Sequence, residues 1–222
     1  MSIKPTKKSD SEKDWLTKRR SKIQRIAPEY HLIVSEGVQT EPNYFNRIKE
    51  VINNKYSDRI LLKVEGQGKN TISLFNAAKS IAEHDANGFK HVWIVYDTDS
   101  FPADQVNSVV ELCKNNSTND MTYHAIWSNQ CIELWYLLHF EYLQSDIDRK
   151  AYRAKLTKHL NSINAGCYQK NRDDMYDILS PYMETAIAYA KKLKSNNIGK
   201  MPNQAAPGTE VVTLIEKLKR YL

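Results

Sequence analysis

The chain contains few cysteines and no long hydrophobic segment. Its three cysteines are spread over 222 residues and form no CxxC pair, so neither a disulfide framework nor a zinc site is predicted. No apolar run approaches the length that crosses a bilayer, and the first 28 residues are polar and charged, unlike a signal peptide. We therefore expect a soluble, cytoplasmic protein with no membrane partner.

Three motifs that carry common enzyme chemistry are also missing. The chain has no Walker lysine loop, no GxGxxG turn and no nucleophile elbow. These absences argue against nucleotide hydrolysis, dinucleotide chemistry and serine hydrolysis.

Positive charge is concentrated at the amino terminus. Lysine and arginine outnumber aspartate and glutamate by 32 to 26, which gives a net charge of +6. Nine of the basic residues lie within the first 25 positions, against three acidic ones. A basic arm over residues 1–28, with Arg19 and Arg20, suits contacts to nucleic-acid phosphates. A partly disordered, solvated tail explains the same composition equally well.

Short apolar runs alternate with helical patterns in the first half of the chain. The predicted strands cover residues 30–35, 59–64, 92–96 and 122–127. The predicted helices between them cover residues 40–52, 71–84 and 104–114, with Thr40 and Asn70 as candidate caps. This alternation predicts an α/β fold with a mostly parallel central sheet of about four strands, connected by right-handed crossovers and flanked by helices.

The pattern after residue 127 is helical. Predicted helices cover residues 129–142, 148–160, 173–193 with a break near Pro181, and 209–222. Residues 195–207 form an aperiodic loop that could lie over the carboxyl edge of the sheet. The apolar residues of the last helix either pack against the sheet or form a homodimer face. We predict a single domain over residues 29–222, with a helical carboxyl-terminal extension from about residue 143.

Acidic residues follow two of the predicted strands. Glu36 comes directly after the first strand, and Asp97 and Asp99 follow the third. Ligands of open α/β sheets gather outside the carboxyl ends of the strands, and converging carboxylates need a cation to offset their repulsion. The sequence therefore predicts a catalytic Mg²⁺ or Mn²⁺ site at Glu36, Asp97 and Asp99, of the kind used in phosphodiester cleavage. Capping or turn-forming aspartates are the structural alternative for the DxD spacing.

Glu133 lies in a predicted helix that is apolar on nearly every side. A buried glutamate is unfavourable unless it is paired or coordinates a cation. We expect Glu133, as a fourth catalytic residue, to border the metal crevice; the alternative is a buried ion pair with a lysine or arginine. His139, on another face of the same helix, is expected to be a hydrogen-bonded core histidine.

A short basic and aromatic set lies further along the chain. Lys158, Tyr168 and Lys170 offer two ammonium groups and a ring for binding nucleic acid. An exposed segment that only connects helices explains these residues at least as well. Asp173 and Asp174, just beyond, are typical of a helix start.

Four segments of the chain resemble the RloB-like (AbiLii-type) proteins. They are residues 33–45 (IVSEGVQTEPNYF), 95–99 (VYDTD), 128–140 (SNQCIELWYLLHF) and 168–170 (YQK). The likeness extends over nearly everything from Tyr30 onward, and the first segment is long enough to be specific. Gln130 departs from the family pattern, since many relatives have proline in the segment before the cysteine.

The RloB-like proteins are similar to Toprim domains, and this similarity implies a fold and a site. In a Toprim-like fold, a glutamate after the first strand acts in acid–base catalysis or metal binding, and a DxD after the third strand holds Mg²⁺. These roles correspond to Glu36, Asp97 and Asp99. The resemblance also implies an antiphage or abortive-infection locus, with an ABC- or AAA-type ATPase as partner.

Two functional hypotheses follow from the residues and the resemblance. The first is a metal-dependent nuclease, with RNA and especially tRNA preferred by analogy with Toprim effectors, although no residue selects RNA over DNA. The second is a non-catalytic module that senses nucleic acid or docks on an ATPase. Primase or topoisomerase chemistry is disfavoured, because strand passage needs a separate tyrosine domain for which the chain has no room.

Overall fold

In the computed structural model, the described part of the chain comprises residues 29–56, 60–68, 71–86, 88–98 and 102–222. The predicted basic arm, with Arg19 and Arg20, lies outside these residues, and so do Asp99 and the candidate cap Asn70. Within the described ranges, no helix is long and apolar enough to cross a membrane.

Four parallel strands form the described sheet, in the order β2-β1-β3-β4. The strands are β1 (Glu29–Ser35), β2 (Ile60–Gly66), β3 (His91–Asp97) and β4 (Thr122–Ser128). The predicted α/β fold with a parallel four-stranded sheet is therefore confirmed. The first and last residues of each strand lie within two positions of the predicted ones.

Helices cover both faces of the sheet and build the carboxyl-terminal part of the chain. They are α1 (Thr40–Lys55), α2 (Thr71–His84), α3 (Ala103–Asn116), α4 (Glu133–Leu137), α5 (Arg149–Ser162), α6 (Met175–Leu179), α7 (Met183–Asn196) and α8 (Val211–Lys219). Single turns of 3₁₀ helix occupy Ser180–Tyr182 and Pro202–Gln204. Pro181 lies in the first of these turns, so the predicted break between two helices is confirmed. Proline interrupts the helix there because it has no N–H to donate.

The alternation of side chains along each strand divides the core into two layers. On one face, Ile33, Trp93 and Ile126 pack with α1 and the carboxyl-terminal helices. On the other face, Val34 and Ile94 pack with α2 and α3. Both faces of β1 and β3 are thus buried, which explains their continuous apolar sequences.

The apolar face of α8 packs inside the chain, where it contacts β4 and α7. Its fully buried residues are Val211, Val212, Leu214, Ile215 and Leu218. The predicted packing against the sheet is therefore confirmed, and none of these five side chains is exposed for a homodimer face.

The prediction of one helix over residues 129–142 is wrong in extent. Within this segment, only the five residues of α4 are α-helical. The backbone of Gln130 has a φ of 63°, a left-handed conformation that an α-helix does not contain. In addition, the N–H of Asn129 donates to the carbonyl of Gly208. The chain therefore leaves β4 through a turn that is fastened to a remote segment before α4 begins.

The predicted cap of α1 is shifted by one residue. Thr40 is the first residue of the helix, and Gln39 holds the cap position without a side-chain cap bond. The Thr40 hydroxyl instead donates to the carbonyl of Lys170 at 2.8 Å. This bond fastens the start of α1 to the 168–170 segment.

Candidate functional site

Two carboxylates meet between β1 and β3, where the chain changes the side of β1 on which it adds strands. The chain passes from β1 outward to β2 and then crosses back over β1 to β3. The gap between β1 and β3 is therefore the topological switch point, outside which ligands of open α/β sheets bind. Ser35 pairs with Val95 across this gap, so Glu36 follows one residue after this pair and Asp97 two residues after it.

Backbone hydrogen bonds fix the position of Glu36. Its N–H donates to the carbonyl of Val95 at 2.9 Å, and its own carbonyl accepts from the N–H of Gly68 at 2.9 Å. Its carboxylate Oε2 accepts from the backbone N–H of Asp97 at 3.3 Å. The structure thus places Glu36 and Asp97, two of the three predicted metal ligands, side by side.

A third carboxylate, Glu41, reaches the same place from the first turn of α1. It is buried, and a Cβ atom on Gly37 would lie only 2.0 Å from its Oε2. Glycine at position 37 therefore leaves the space that the Glu41 carboxylate occupies. The predicted site omits Glu41, although the Glu-Gly-x-x-Thr-Glu segment contains it. A glutamate in the first turn is commonly explained by the helix dipole alone.

Glu133 begins α4 and is buried with two hydrogen-bond donors. Its Oε1 accepts from Arg153 Nε at 3.2 Å and from the Tyr168 hydroxyl at 3.0 Å. The ion pair considered as an alternative for Glu133 is therefore present. Its negative charge also lies close enough to Asp97 and Glu41 to repel both carboxylates. Glu133 thus combines the two predicted environments, since it is paired and it borders the site.

We call Glu36, Glu41, Asp97 and Glu133 the carboxylate cluster, and negative charge is unfavourable at the first three of them. Burial raises the pKa of Glu36 to about 7, with repulsion from Glu41 opposing the hydrogen bond from Asp97. Burial also raises the pKa of Asp97, and repulsion from Glu41, Glu36 and Glu133 adds to it. The pKa of Glu41 is raised by burial and by repulsion from Glu133. A bound cation would relieve this repulsion.

Two basic residues offset part of the negative charge. Arg149, the first residue of α5, favours the ionised forms of Glu36 and Asp97, and Lys170 favours those of Glu36 and Glu41. Lys170 is also exposed. An ammonium group predicted to bind nucleic acid therefore lies at the edge of the carboxylate cluster. Arg149 was not among the predicted residues, because the basic pattern of its helix alone does not show which end meets the sheet.

The remaining predicted residues have different surroundings. Tyr168 is 9% exposed and its hydroxyl donates to Glu133, so little of its ring is open for stacking on a base. Lys158 is exposed on α5, roughly 13 Å along the helix axis from Arg149. His139 is buried and its Nδ1 donates to the carbonyl of Trp135 at 2.9 Å, as expected for a core histidine.

The donor chemistry of the carboxylate cluster suits a hard divalent cation. Mg²⁺ takes oxygen ligands, mainly from carboxylates and water. Glu36 and Asp97 supply such oxygens in a place where burial and repulsion disfavour their charge. Among the residues that the structure describes, no group of three histidine, cysteine, aspartate or glutamate side chains is arranged to hold a metal ion. Asp99, the third predicted ligand, lies outside those residues.

Comparison with known proteins identifies a family. No curated protein and no solved structure matches the chain. The family model described as RloB-like protein matches residues 31–218. This range contains all four strand ends, the whole carboxylate cluster and the 168–170 segment. The chain belongs to the RloB-like family.

Proposed function

We propose that this RloB-like protein is a nuclease that hydrolyses phosphodiester bonds of nucleic acid with Mg²⁺ or Mn²⁺. The observation that carries the proposal is the meeting of Glu36 and Asp97 at the switch point of the sheet, where burial and repulsion raise the pKa of both. Carboxylates that are buried together and short of positive charge are typical of sites that bind a cation.

Two residues of the DxD segment and Glu36 would have separate roles. Asp97 and Asp99 would hold the cation, with Glu36 beside them. A bound Mg²⁺ or Mn²⁺ would polarise the phosphoryl oxygens and lower the pKa of a coordinated water. The pKa of Glu36 is raised to about 7 in the cation-free site, and as a carboxylate beside the cation Glu36 would accept a proton from the attacking water. The hydrogen bond from the Asp97 N–H keeps its carboxylate oriented.

Glu133 is better suited to positioning than to proton transfer. Arg153 and Tyr168 both donate to its Oε1, and hydrogen bonds to a charged group hold it more firmly than neutral ones. A fixed anion at this place adds to the negative potential at Asp97. Glu133 would therefore strengthen cation binding without touching the substrate.

Basic groups around the cluster would receive the nucleic-acid backbone. Arg149 and Lys170 lie at its edge, and Lys158 extends the basic surface along α5. Contacts of this kind bind phosphate irrespective of sequence and weaken as salt rises. We extend the same role to the basic arm that contains Arg19 and Arg20.

For the substrate we favour RNA, with tRNA as the first candidate. For the biological role we favour an effector of a bacterial antiphage or abortive-infection system, acting with an ABC- or AAA-type ATPase. Both choices are supported by the resemblance to Toprim effectors. The charges of the site suit RNA and DNA phosphates equally, so both nucleic acids belong in the test.

The deciding experiment is cleavage of purified substrates by the wild type and matched variants. Wild type, Glu36→Gln and Asp97→Asn are incubated with total tRNA or plasmid DNA in Mg²⁺, Mn²⁺ or EDTA. Glu50→Gln is the control, because it removes an exposed glutamate from α1. We expect metal-dependent cutting by the wild type and the control. The two site variants should cut roughly 10²–10⁴-fold more slowly while keeping the wild-type circular dichroism spectrum.

Two results would contradict a metal-dependent nuclease. One is cutting by folded Asp97→Asn at the wild-type rate. The other is cutting by the wild type that persists unchanged in EDTA.

A non-catalytic module that senses nucleic acid or docks on an ATPase is the second candidate function. It is favoured by one observation: Glu133 is already held by Arg153 and Tyr168, as a carboxylate with a structural role would be. In that case the wild type binds nucleic acid or the ATPase without cutting, and Asp97→Asn alters stability instead of activity. Repeating the cleavage assay with the ATPase present separates a silent nuclease from a binding module.

A further inference from the structure

A second concave site lies beside the end of β4. It has a volume of about 260 Å³, and its walls include Val110, Trp127, Ile198, Lys200, Met201 and Thr209. Trp127 comes from β4, Val110 from α3, and the other four from the segment between α7 and α8. We call this site the β4 pocket. It uses side chains that belong neither to the carboxylate cluster nor to the predicted nucleic-acid set.

Strand β4 lies between the β4 pocket and the carboxylate cluster. Asp97 of β3 is the register partner of Ser128 in β4. The Ser128 hydroxyl lies 2.8 Å from that of Thr209, a pocket residue, and the two residues form an antiparallel bridge. Since neighbouring strands are about 4.8 Å apart, the backbones of Asp97 and Thr209 are separated by roughly 10 Å. One strand of nucleic acid can therefore contact both sites.

The walls of the β4 pocket are apolar and its rim is basic. Val110 and Ile198, which is 82% exposed, supply aliphatic surface, and Trp127, which is 9% exposed, adds a small part of its ring. Lys200 is exposed, and its Nζ donates to the side-chain oxygen of Asn197 at 2.9 Å. Apolar surface with an ammonium group at its rim can take the face of a base and a neighbouring phosphate of single-stranded nucleic acid.

We propose that the β4 pocket binds one unstacked nucleobase of the nucleic acid whose backbone lies at the carboxylate cluster. This inference rests on the proposed function and adds a base-binding subsite to it. A cavity of about 260 Å³ is smaller than the roughly 300–1,000 Å³ of sites for drug-sized ligands. It therefore suits a single base and excludes a duplex, and Lys200 would contact a neighbouring phosphate.

A peptide of a partner protein is the other occupant that an apolar pocket can take. The nucleobase is favoured by the short path to Asp97 and by the charge at the rim. Lys194 is neutralised by Glu210, with a distance of 2.6 Å between Nζ and Oε2. Lys200, in contrast, bonds to an uncharged amide, so its charge is available for a phosphate.

Direct binding to the full chain tests the pocket without requiring cleavage. Protein labelled with 5-fluorotryptophan is titrated with the four nucleoside 5′-monophosphates, and the Trp127 resonance is assigned from Trp127→Phe. We expect this resonance to shift with at least one nucleotide. Val110→Phe, which fills the cavity from α3, should weaken binding at least tenfold. Val51→Phe is the matched control, because Val51 is a partly exposed valine of α1 outside the pocket.

A surface variant keeps the test independent of core packing. Ile198→Asp changes an exposed side chain of the pocket and places a negative charge where a phosphate would approach. We expect it to weaken nucleotide binding at least fivefold with no change in the melting temperature. Wild-type affinity in both Val110→Phe and Ile198→Asp would overturn the proposal.

The second test of the pocket is to map the cleavage sites on single-stranded RNA of mixed sequence. Wild type and Val51→Phe should prefer one base at a fixed distance from the cut. Val110→Phe should keep the metal dependence and reduce this preference at least fivefold. No Trp127 shift with any monophosphate, or an unchanged preference in Val110→Phe, would overturn the base subsite.

The remaining outcomes distinguish this inference from the nuclease proposal. If the wild type does not cut but Trp127 still responds to nucleotides, the nuclease proposal fails and the base pocket stands. If Val110→Phe no longer binds the ATPase partner and no nucleotide shifts the Trp127 resonance, the pocket binds a peptide and the proposed base subsite is wrong.

Discussion

The carboxylate of Glu36 accepts a hydrogen bond from the backbone N–H of Asp97, with 3.3 Å between Oε2 and N. This contact joins the end of β1 to the end of β3 across the switch point of the sheet. Because the donor is a backbone group, substitution of the Asp97 side chain by asparagine retains the bond. Variants at position 97 therefore change the charge of the site while preserving the position of Glu36.

Removal of the charge at Glu41 should stabilise the cation-free protein. Burial and repulsion from Glu133 raise the pKa of Glu41, so the folded state loses stability as the pH rises and this carboxyl ionises. We expect Glu41→Gln to gain about 1 kcal/mol at pH 8 in EDTA and less at pH 5. Thermal unfolding at both pH values measures the gain. Equal gains in the exposed control Glu50→Gln would contradict the role of buried repulsion.

A side chain at position 37 should be incompatible with the buried Glu41 carboxylate. A Cβ atom on Gly37 would lie 2.0 Å from Glu41 Oε2, so either the carboxylate or the start of α1 must move. We expect Gly37→Ala to destabilise the fold by about 1–3 kcal/mol. The double variant Gly37→Ala/Glu41→Ala should recover most of this loss.

Urea unfolding measures the effect at Gly37, and Val38→Ala is the control because Val38 is the exposed neighbour. If Gly37→Ala is as stable as the wild type, the Glu41 carboxylate does not occupy the space above residue 37.

Loss of Arg153 should leave Glu133 buried without its charged partner. The Glu133 side chain is 2% exposed and that of Arg153 is 38% exposed. We expect Arg153→Met to cost about 2 kcal/mol, less than breaking a fully buried pair, because water reaches the arginine. Adding Glu133→Gln should restore about half of the loss. A double-mutant cycle from urea unfolding gives the coupling between the two side chains.

The control for this pair is an ion pair on the surface. Arg47→Met removes a contact with Asp177 in which both side chains are nearly half exposed, and it should cost less than about 1 kcal/mol. If Arg153→Met lowers the free energy of unfolding no more than Arg47→Met does, the buried Glu133 does not depend on Arg153 for stability.

Three histidines lie together on the sheet, away from the carboxylate cluster. His31, His91 and His124 come from β1, β3 and β4, and His91 Nδ1 lies 3.1 Å from His124 Nε2. Burial is the main cause that lowers the pKa of His31 to about 3 and the pKa values of His91 and His124 to about 4. The charged groups around them are Glu29, Lys90, Lys217 and Arg220.

These histidines should make the fold sensitive to acid. Their pKa values in the folded protein lie below the ordinary 6.5, so the unfolded chain binds more protons below about pH 6.5. The contribution of these histidines to stability is therefore complete above this pH and is lost as the pH drops towards 4. His31→Gln should make the fall shallower, because it removes the histidine with the largest shift.

Urea midpoints between pH 7.5 and pH 4.5 measure this dependence. The comparison is between the slopes of the variant and the wild type, because the carboxylate cluster is common to both and has the opposite pH dependence. Parallel curves for the two proteins would contradict the histidine explanation.

The strands could be predicted well because their signal is local. The sheet buries both faces of β1 and β3, so these two strands are short continuous apolar runs bounded by polar residues. The helix at residues 129–142 could not be predicted in the same way. Its apolar residues indicate burial, whereas the turn at Gln130 depends on a hydrogen bond from Asn129 to Gly208, far along the chain.

Local sequence patterns are enough to predict the α/β fold and to place Glu36 and Asp97 at the ends of two strands, because both follow from a few neighbouring residues. That Glu41 and Glu133 lie beside them, and that Tyr168 directs its hydroxyl to Glu133, results from tertiary packing. These contacts arise where the carboxyl-terminal helices pack on α1, as in the Thr40–Lys170 bond between residues 130 positions apart. No local periodicity encodes such a meeting, since it depends on how whole elements pack.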